Sequence, residues 1–435
     1  MRFNLPLKKP RTFEGAKASV IPPIAQLERS VAACLLWEDA FYEEGVTIAE
    51  RIKTLAPLCD PEAATAIAVK AREEGKLRHA PLLLLRELAR HPDKPRIADA
   101  LARVIQRADE PAEFLAMYWG EGKQPLSRQV KLGLGKALQK FDAYQLAKYD
   151  RAGAVRLRDV LFMVHAKPRD KGQAANWKQL AEKALPSPDT WEVALSAGED
   201  KKETFTRLLQ ENKLGYMALL RNLRNMMEAG VEKKLVTTAL LKGAASSKAL
   251  PFRFIAAARS APALEPVLDE AMRQAVESLE RLPGETFIVV DVSGSMNYRM
   301  SRKSDLTRID AAAALAVLLV GAAEQARVFT FSNELVEVAP RKGMALIDAI
   351  NASQPHGGTY LGKTLSGLPG GCDRIVVVTD EQSADNIPAP AGKGYMINVG
   401  SYENGVGYGK WTHINGFSES VVRYIQAVET AELKM

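Results

Sequence analysis

The stretch Thr286-Phe287-Ile288-Val289-Val290-Asp291-Val292-Ser293-Gly294-Ser295-Met296 decides the fold. Its first five residues are a continuous β-branched and aromatic run, as expected of a parallel strand buried on both faces. An aspartate and two serines follow at once in the pattern D-x-S-x-S, with Gly294 expected to let the backbone turn sharply between the hydroxyls. Outward toward the C-terminus, Ile309 to Glu324 reads as an alanine- and leucine-rich helix. Val328–Phe331 and Leu335–Val338 read as strands, and Ala345–Ala352 as a helix. Ile375–Val378 and Tyr395–Val399 are strands again, and Ser418–Leu433 is a closing helix. This alternation predicts a doubly wound α/β domain over 283–435. On such sheets ligands sit at the carboxyl ends of the strands.

Two more oxygen-bearing pieces fall at that edge. Gly357-Gly358-Thr359 is a glycine-rich loop presenting a hydroxyl, and Thr379-Asp380 ends the strand at 375–378. Asp291, Ser293, Ser295, Thr359 and Asp380 together offer two carboxylates and three hydroxyls. That set suits a hard divalent ion, above all Mg²⁺, which keeps some of its waters and leaves a position for an outside ligand. Without histidine or cysteine the set disfavours zinc and copper; His356 beside the loop reads as a turn residue. The plain alternative is that the hydroxyls only cap a helix and turns. The arrival of all five at one sheet edge favours the metal. A hydrolase needs a general base beside its ion. Only Glu381 is adjacent in sequence, so the loop reads as a binding site and the chain as no enzyme.

Outward toward the N-terminus the character changes at Arg281-Leu282-Pro283-Gly284. From 23 to 282 apolar residues recur at intervals of three and four, punctuated by Pro61, Pro95, Pro125, Pro168, Pro186, Pro188 and Gly230. Roughly seven helical pairs without a strict repeat suggest an α-solenoid of the HEAT type, which closes into a ring if it curves far enough. Residues 1–22, basic and proline-bearing, read as an extended arm.

The 435 residues carry 59 Lys+Arg against 52 Asp+Glu, unevenly spread. From Arg281 onward there are 14 basic and 16 acidic side chains, leaving 45 and 36 before it: −2 against +9. A basic helical half points to a polyanion. Arg128, Lys131, Lys136, Lys140, Lys148, Arg151, Arg156 and Arg158 run along one stretch, followed by His165 and Lys167. Tyr144 and Tyr149 interleave as possible base-stacking platforms. Arg221 and Arg224 share a face further on. The bland reading of each is a solvated helix face. The longest apolar run, Ala311–Ala323, is 13 residues. A membrane helix needs about 20, so no membrane partner is expected. Three distant cysteines, with no apolar signal segment at the start, suggest a reducing, cytoplasmic setting.

At Asp291, Ser293, Ser295, Thr359 and Asp380 the C-terminal part resembles a von Willebrand factor A domain with a metal-ion-dependent adhesion site. The resemblance implies a bound Mg²⁺ whose open position accepts an acidic group. The helical part resembles the TROVE module of the Ro autoantigen family, bacterial type. The motifs that carry it are Arg11-Thr12-Phe13-Glu14-Gly15-Ala16, Phe41-Tyr42-Glu43-Glu44-Gly45, Leu157-Arg158-Asp159-Val160-Leu161 running to His165-Ala166-Lys167-Pro168, Met217 to Leu223, and Leu250-Pro251-Phe252-Arg253-Phe254. That resemblance implies a ring of helical repeats whose hole takes single-stranded ends of structured or misfolded RNA. It also implies an outer basic surface for small noncoding Y-like RNA, with His165 and Lys148 on that surface and Arg151 beside a departure from the family pattern at Ala152. A ribonucleoprotein role in RNA quality control or processing follows, with an exoribonuclease as a candidate partner and a monomeric chain. The competing function is a metal-dependent protein-interaction adapter without an RNA ligand.

Overall fold

The computed structural model describes residues 11–19, 21–32, 39–40, 43–150, 153–247, 249–277, 279, 281–299, 305–400, 402, 404–416 and 420–432. The chain divides into two compact units. One comprises Met1–Ile21, Glu38–Gly45 and Gly198–Met435, the other Pro22–Trp37 and Val46–Ala197. The composition change expected at 282/283 does mark where helix gives way to strand, since the first long strand opens at Leu282. Packing draws its line earlier, at Gly198, because the five helices from Lys201 to Glu277 pack with the sheet and its helices.

The second unit is helix–turn–helix throughout. Its starts follow sequence rules. Asp60, Ser127, Asp142, Asp170 and Thr190 each accept a backbone N–H three residues on, so the orphan donors of those first turns are satisfied. The helix His79–Leu88 is central, and Leu82, Leu83, Leu84, Leu85 and Leu88 are all buried. Each fully buried leucine contributes about 1.5–3 kcal/mol. One continuous core runs from Leu27 to Leu180. Arg72 and Glu110 are buried within the unit, paired at 2.6 Å, and Glu110 also accepts the backbone N–H groups of Gln106 and Arg107. Among the described residues of 23–277, across both units, there are sixteen α-helices, about the number the periodicity predicts.

In the first unit six strands form one sheet: β1 Leu282–Asp291, β2 Ala323–Phe331, β3 Leu335–Val338, β4 Arg374–Thr379, β5 Lys393–Asn398 and β6 Thr412–Asn415. Their order is β3-β2-β1-β4-β5-β6, parallel except for the edge strand β3. This is the doubly wound order whose direction of winding reverses between β1 and β4, the place where such sheets open a crevice. Val290 lies opposite Val378, so Asp291 and Thr379 emerge side by side there. The helix Arg308–Ala322 is apolar all round and buried along most of its length, because the sheet covers one side and the helices Pro251–Ser260 and Glu265–Glu277 cover others. Helix propensity extends that helix to Glu324. The chain instead turns into β2 at Ala323, where Leu282 of β1 pairs with it; ladder hydrogen bonds outweigh local preference. β6 and the short helix Leu361–Gly367 have no counterpart in the periodicity.

The described part of the N-terminal arm is fastened to the sheet unit rather than free. Arg11 bridges Lys17 across a tight turn, and Gly15 at φ +106° takes a conformation that suits glycine. Thr12 Oγ1 donates to the Ser383 carbonyl at 2.7 Å, Phe13 N–H to Gln382 Oε1 at 3.0 Å and Ser19 N–H to the Gly405 carbonyl at 3.2 Å. Ala16 joins the core beneath. No described helix is long and apolar enough to cross a membrane.

Candidate metal centre and nucleic-acid interface

The five oxygen-bearing residues come together at the crevice between β1 and β4. Asp291 and Asp380 are fully buried, as is Ser293; Thr359 and Ser295 are nearly so. Asp291 Oδ1 accepts the Ser293 N–H at 2.9 Å, and its Oδ2 accepts the Thr379 hydroxyl at 2.6 Å. The hydroxyls of Ser293 and Ser295 lie 3.4 Å apart. The glycine-rich loop is stitched to the D-x-S-x-S loop: Gly294 N–H donates to the Gly357 carbonyl at 3.0 Å, and His356 Nδ1 meets the Val292 carbonyl at 2.7 Å. The loop is tied to the next one by Ala384 N–H, which donates to the Thr359 carbonyl at 2.7 Å. His356 therefore holds the two loops together, more than the turn residue expected of it. Gly357 has a steric role, since a Cβ there would run into the Asn333 amide. Gly294 does not: its φ is not in the left-handed region, and a Cβ would make ordinary contacts at 3.5 Å. The turn is made by the hydrogen bonds, not by that glycine.

Electrostatically the crevice sets two buried carboxyls against one nearby cation, Arg308. Burial pushes the Asp291 carboxyl up, and the neighbouring Asp380 charge pushes it further. Burial also raises Asp380, against the pull of Arg308. Arg308 Nη1 stands 3.9 Å from Asp380 Oδ2, but it donates its 2.6 Å hydrogen bond to the Tyr402 hydroxyl. Asp380 Oδ2 has no hydrogen-bond partner among the described residues. Buried carboxylates of this kind need a compensating cation. An oxygen-only set with one unsatisfied carboxylate oxygen fits a hard divalent ion. Glu381 lies outside the crevice chemistry: it is buried and paired with His413, whose ring stacks on Tyr408. Nothing local in the sequence connects Arg308 with Tyr402, 94 residues on.

The basic residues divide more sharply than their spacing suggests. Arg128, His165 and Lys167 are exposed, and Lys131, Lys148, Arg156 and Arg158 are half-buried. His165 ends its helix in the left-handed conformation, φ 51°. Lys136 pairs with Asp99 at 2.6 Å across an exposed surface, a pair worth little. Lys140 corrects its reading as an RNA contact. Its ammonium is held by the carbonyls of Ala102 and Ile105, at the end of the helix Ala98–Val104, where it caps groups that lack helical partners. Burial lowers its pKa. Arg158 stands 3.8 Å from Asp159. Arg151 lies outside the described residues. Arg221 and Arg224 are exposed on the helix Tyr216–Glu228, which belongs to the sheet unit rather than to the unit carrying the other cations. Of the two tyrosines, Tyr144 is exposed, whereas Tyr149 is covered by Arg107 at 4.8 Å. Phe162, 60% exposed on the helix that ends at His165, is an apolar platform that the helical periodicity does not single out.

The comparisons with known proteins agree with this architecture. The TROVE domain family matches residues 177–312. Telomerase protein component 1 of Mus musculus is 29% identical over 233 residues, 49% of this chain and 8% of that protein. Its counterpart from Rattus norvegicus is 28% identical over 191 residues, 40% of this chain and 7% of that protein. The chain thus spans less than a tenth of the length of these curated relatives. The crystal structure of the Deinococcus radiodurans Ro (RSR) protein superposes with a TM-score of 0.60 at 20% identity, covering 92% of this chain and 99% of that one. At that identity the likeness speaks for the fold, and it extends over nearly the whole chain. A TROVE match over residues 177–312 and a Ro-like fold over nearly the whole chain are thus what this chain is similar to.

Proposed function

We propose that the protein is a component of a ribonucleoprotein, binding small structured, Y-like RNA through its helical repeats. The same repeats take the ends of structured or misfolded RNA, in RNA quality control or processing. The TROVE match over residues 177–312 and the likeness to a Ro protein's fold support this reading. The observation that carries the reading is a set of cations with no carboxylate partner among the described residues: Arg128, Lys131, Lys148 and Lys167, all in one compact unit. Unpaired cations on a surface are available to phosphates, whereas paired ones must first break a contact. The test is a gel-shift titration of a small structured RNA against wild type and Lys148→Glu/Arg156→Glu at several salt concentrations. Each lost phosphate contact should lower the salt slope by about one. An unchanged slope removes this surface from the interface.

In the sheet unit, Asp291, Ser293, Ser295, Thr359 and Asp380 would hold Mg²⁺, which supplies an electrophilic position for an acidic group. Asp380 Oδ2, which accepts no hydrogen bond among the described residues, supports this. The same atom favours a second reading, an adapter that grips an acidic partner through the metal. In that case RNA affinity is absent at moderate salt, which the titration also reads.

A further inference from the structure

Within the helical unit, the helices Ala143–Tyr149, Lys171–Glu182 and Trp191–Ser196 surround a solvent-open cavity of about 840 Å³. That volume lies within the roughly 300–1,000 Å³ of small-ligand sites. Three cations line it: Lys148, Arg156 and Lys183. Lys183 sits in the left-handed conformation, φ 56°, at the point where the chain leaves its helix to form the wall Leu185, Pro186 and Pro188. Asp150 lies among the cations; burial raises its carboxyl while Arg156, Arg158 and Lys183 pull the other way.

The remaining carboxylate is Glu192. Its Oε2 is buried and has no hydrogen-bond partner among the described residues. A buried, unpaired carboxylate oxygen is costly, and it is an acceptor waiting for a donor. Neither Lys148, Arg156 nor Lys183 forms an ion pair with it among the described residues. The cavity therefore offers three things at once: positive charge for a phosphate, apolar proline and leucine surface for a flat ring, and an acceptor-only group for N–H donors. Among nucleobases, guanine presents a ring N–H and an exocyclic amino group side by side, the arrangement that a carboxylate accepts with both oxygens. Uracil has no amino group and would turn a carbonyl toward Glu192.

We propose that this cavity takes one unpaired guanosine nucleotide of the bound RNA, with Glu192 on the base edge and Lys148, Arg156 and Lys183 on the phosphates. The inference rests on the RNA-binding reading above and adds base selection to a surface otherwise expected to read backbone and shape.

The experiment is a calorimetric titration of the full chain at low salt with 5′-GMP and 5′-UMP. GMP should bind about tenfold tighter, the low end of what one bidentate base contact gives. Glu192→Gln should bring the two affinities within about twofold, and Lys183→Ala should weaken both alike. Ala197→Trp, which fills the cavity without altering its charge, should abolish both. Equal binding of GMP and UMP by wild type overturns the proposal. So does a GMP preference that survives Glu192→Gln, binding that survives Ala197→Trp, or no nucleotide binding at all. A gel shift of the wild-type chain with structured RNA separates the two levels. If RNA binds but GMP is not selected, the pocket fails and the RNA reading stands. If GMP is selected but RNA does not bind, both fall, and the cavity is a free-nucleotide site.

Discussion

The loops at the β1/β4 crevice and the basic helices use polar side chains in opposite ways. In the crevice of the sheet unit, Asp291, Ser293 and Asp380 have no exposed surface, and nearly every oxygen is engaged. On the helical unit, Arg128, His165 and Lys167 stand in water, and several neighbours have no partner among the described residues. Burial makes a polar constellation self-testing, because each unpaired charge costs several kcal/mol unless something compensates it. Exposure sets no such test. That is why Lys136 and Lys140, a turn apart in sequence, have unlike roles: one holds a surface ion pair, the other caps helix-end carbonyls.

The largest effect expected is at a buried pair with a purely structural role. Arg374 makes a two-pronged contact with Glu429 at 2.7 and 2.8 Å, and Glu429 also accepts from the Tyr395 hydroxyl at 3.1 Å. Glu429→Gln should cost about 3–5 kcal/mol in urea unfolding, the penalty for stranding a buried charge. Burial acts to raise the Glu429 pKa, but the hydrogen bond and charge of Arg374 outweigh it and the net shift is downward. The stabilisation is therefore complete above the ordinary carboxylate range and is lost as pH falls through the lowered native value. Wild type should lose stability on acidification that Glu429→Gln does not lose. Parallel pH curves would show that the pair contributes nothing.

Next comes the metal. At a Mg²⁺ concentration 100 times its dissociation constant, wild type should gain about 2.7 kcal/mol. Asp291→Ala should gain none, read as the shift in thermal midpoint with and without the ion. Without Mg²⁺ this substitution should leave the midpoint unchanged or higher, since it removes one of two mutually repelling carboxylates. Equal responses to Mg²⁺ in both proteins would sink the five-oxygen site. RNA affinity should be the same in both, which is the cleanest separation of the two regions.

Smaller still are effects on the basic surface. His165→Ala should weaken RNA binding by about 1 kcal/mol or less, as for a single exposed polar contact, with no change in unfolding. Lys140→Ala should do the reverse. It should cost about 1 kcal/mol of stability through the lost cap and leave the RNA gel shift unmoved. If Lys140→Ala weakens RNA binding without destabilising the chain, the lysine is a phosphate contact after all and the contrast drawn between the two lysines fails.

Much of the sheet unit is legible in the sequence. A run such as Ile375-Val376-Val377-Val378 is stable only when buried on both faces, so it announces a central parallel strand. The residues that end such strands must then lie at one edge, which is how Asp291 and Asp380 could be placed together. The helix starts at Asp60, Ser127, Asp142, Asp170 and Thr190 follow an equally local rule, because a capping side chain acts three residues away. Other features had no local trace. Arg308 faces Asp380 across 72 positions, Thr12 holds Ser383 across 371, and Glu192 closes a cavity built from three helices. The grouping of the helices 201–277 with the sheet, and the turn from helix to strand at Ala323, also belong to this class. Periodicity and capping are properties of a few adjacent residues, so most of the elements, their order and the five oxygen-bearing residues at one sheet edge can be read from the sequence. Which cations are spent, which carboxylates stay unpaired and which helices share a core depend on burial between distant segments, and only the tertiary structure decided those.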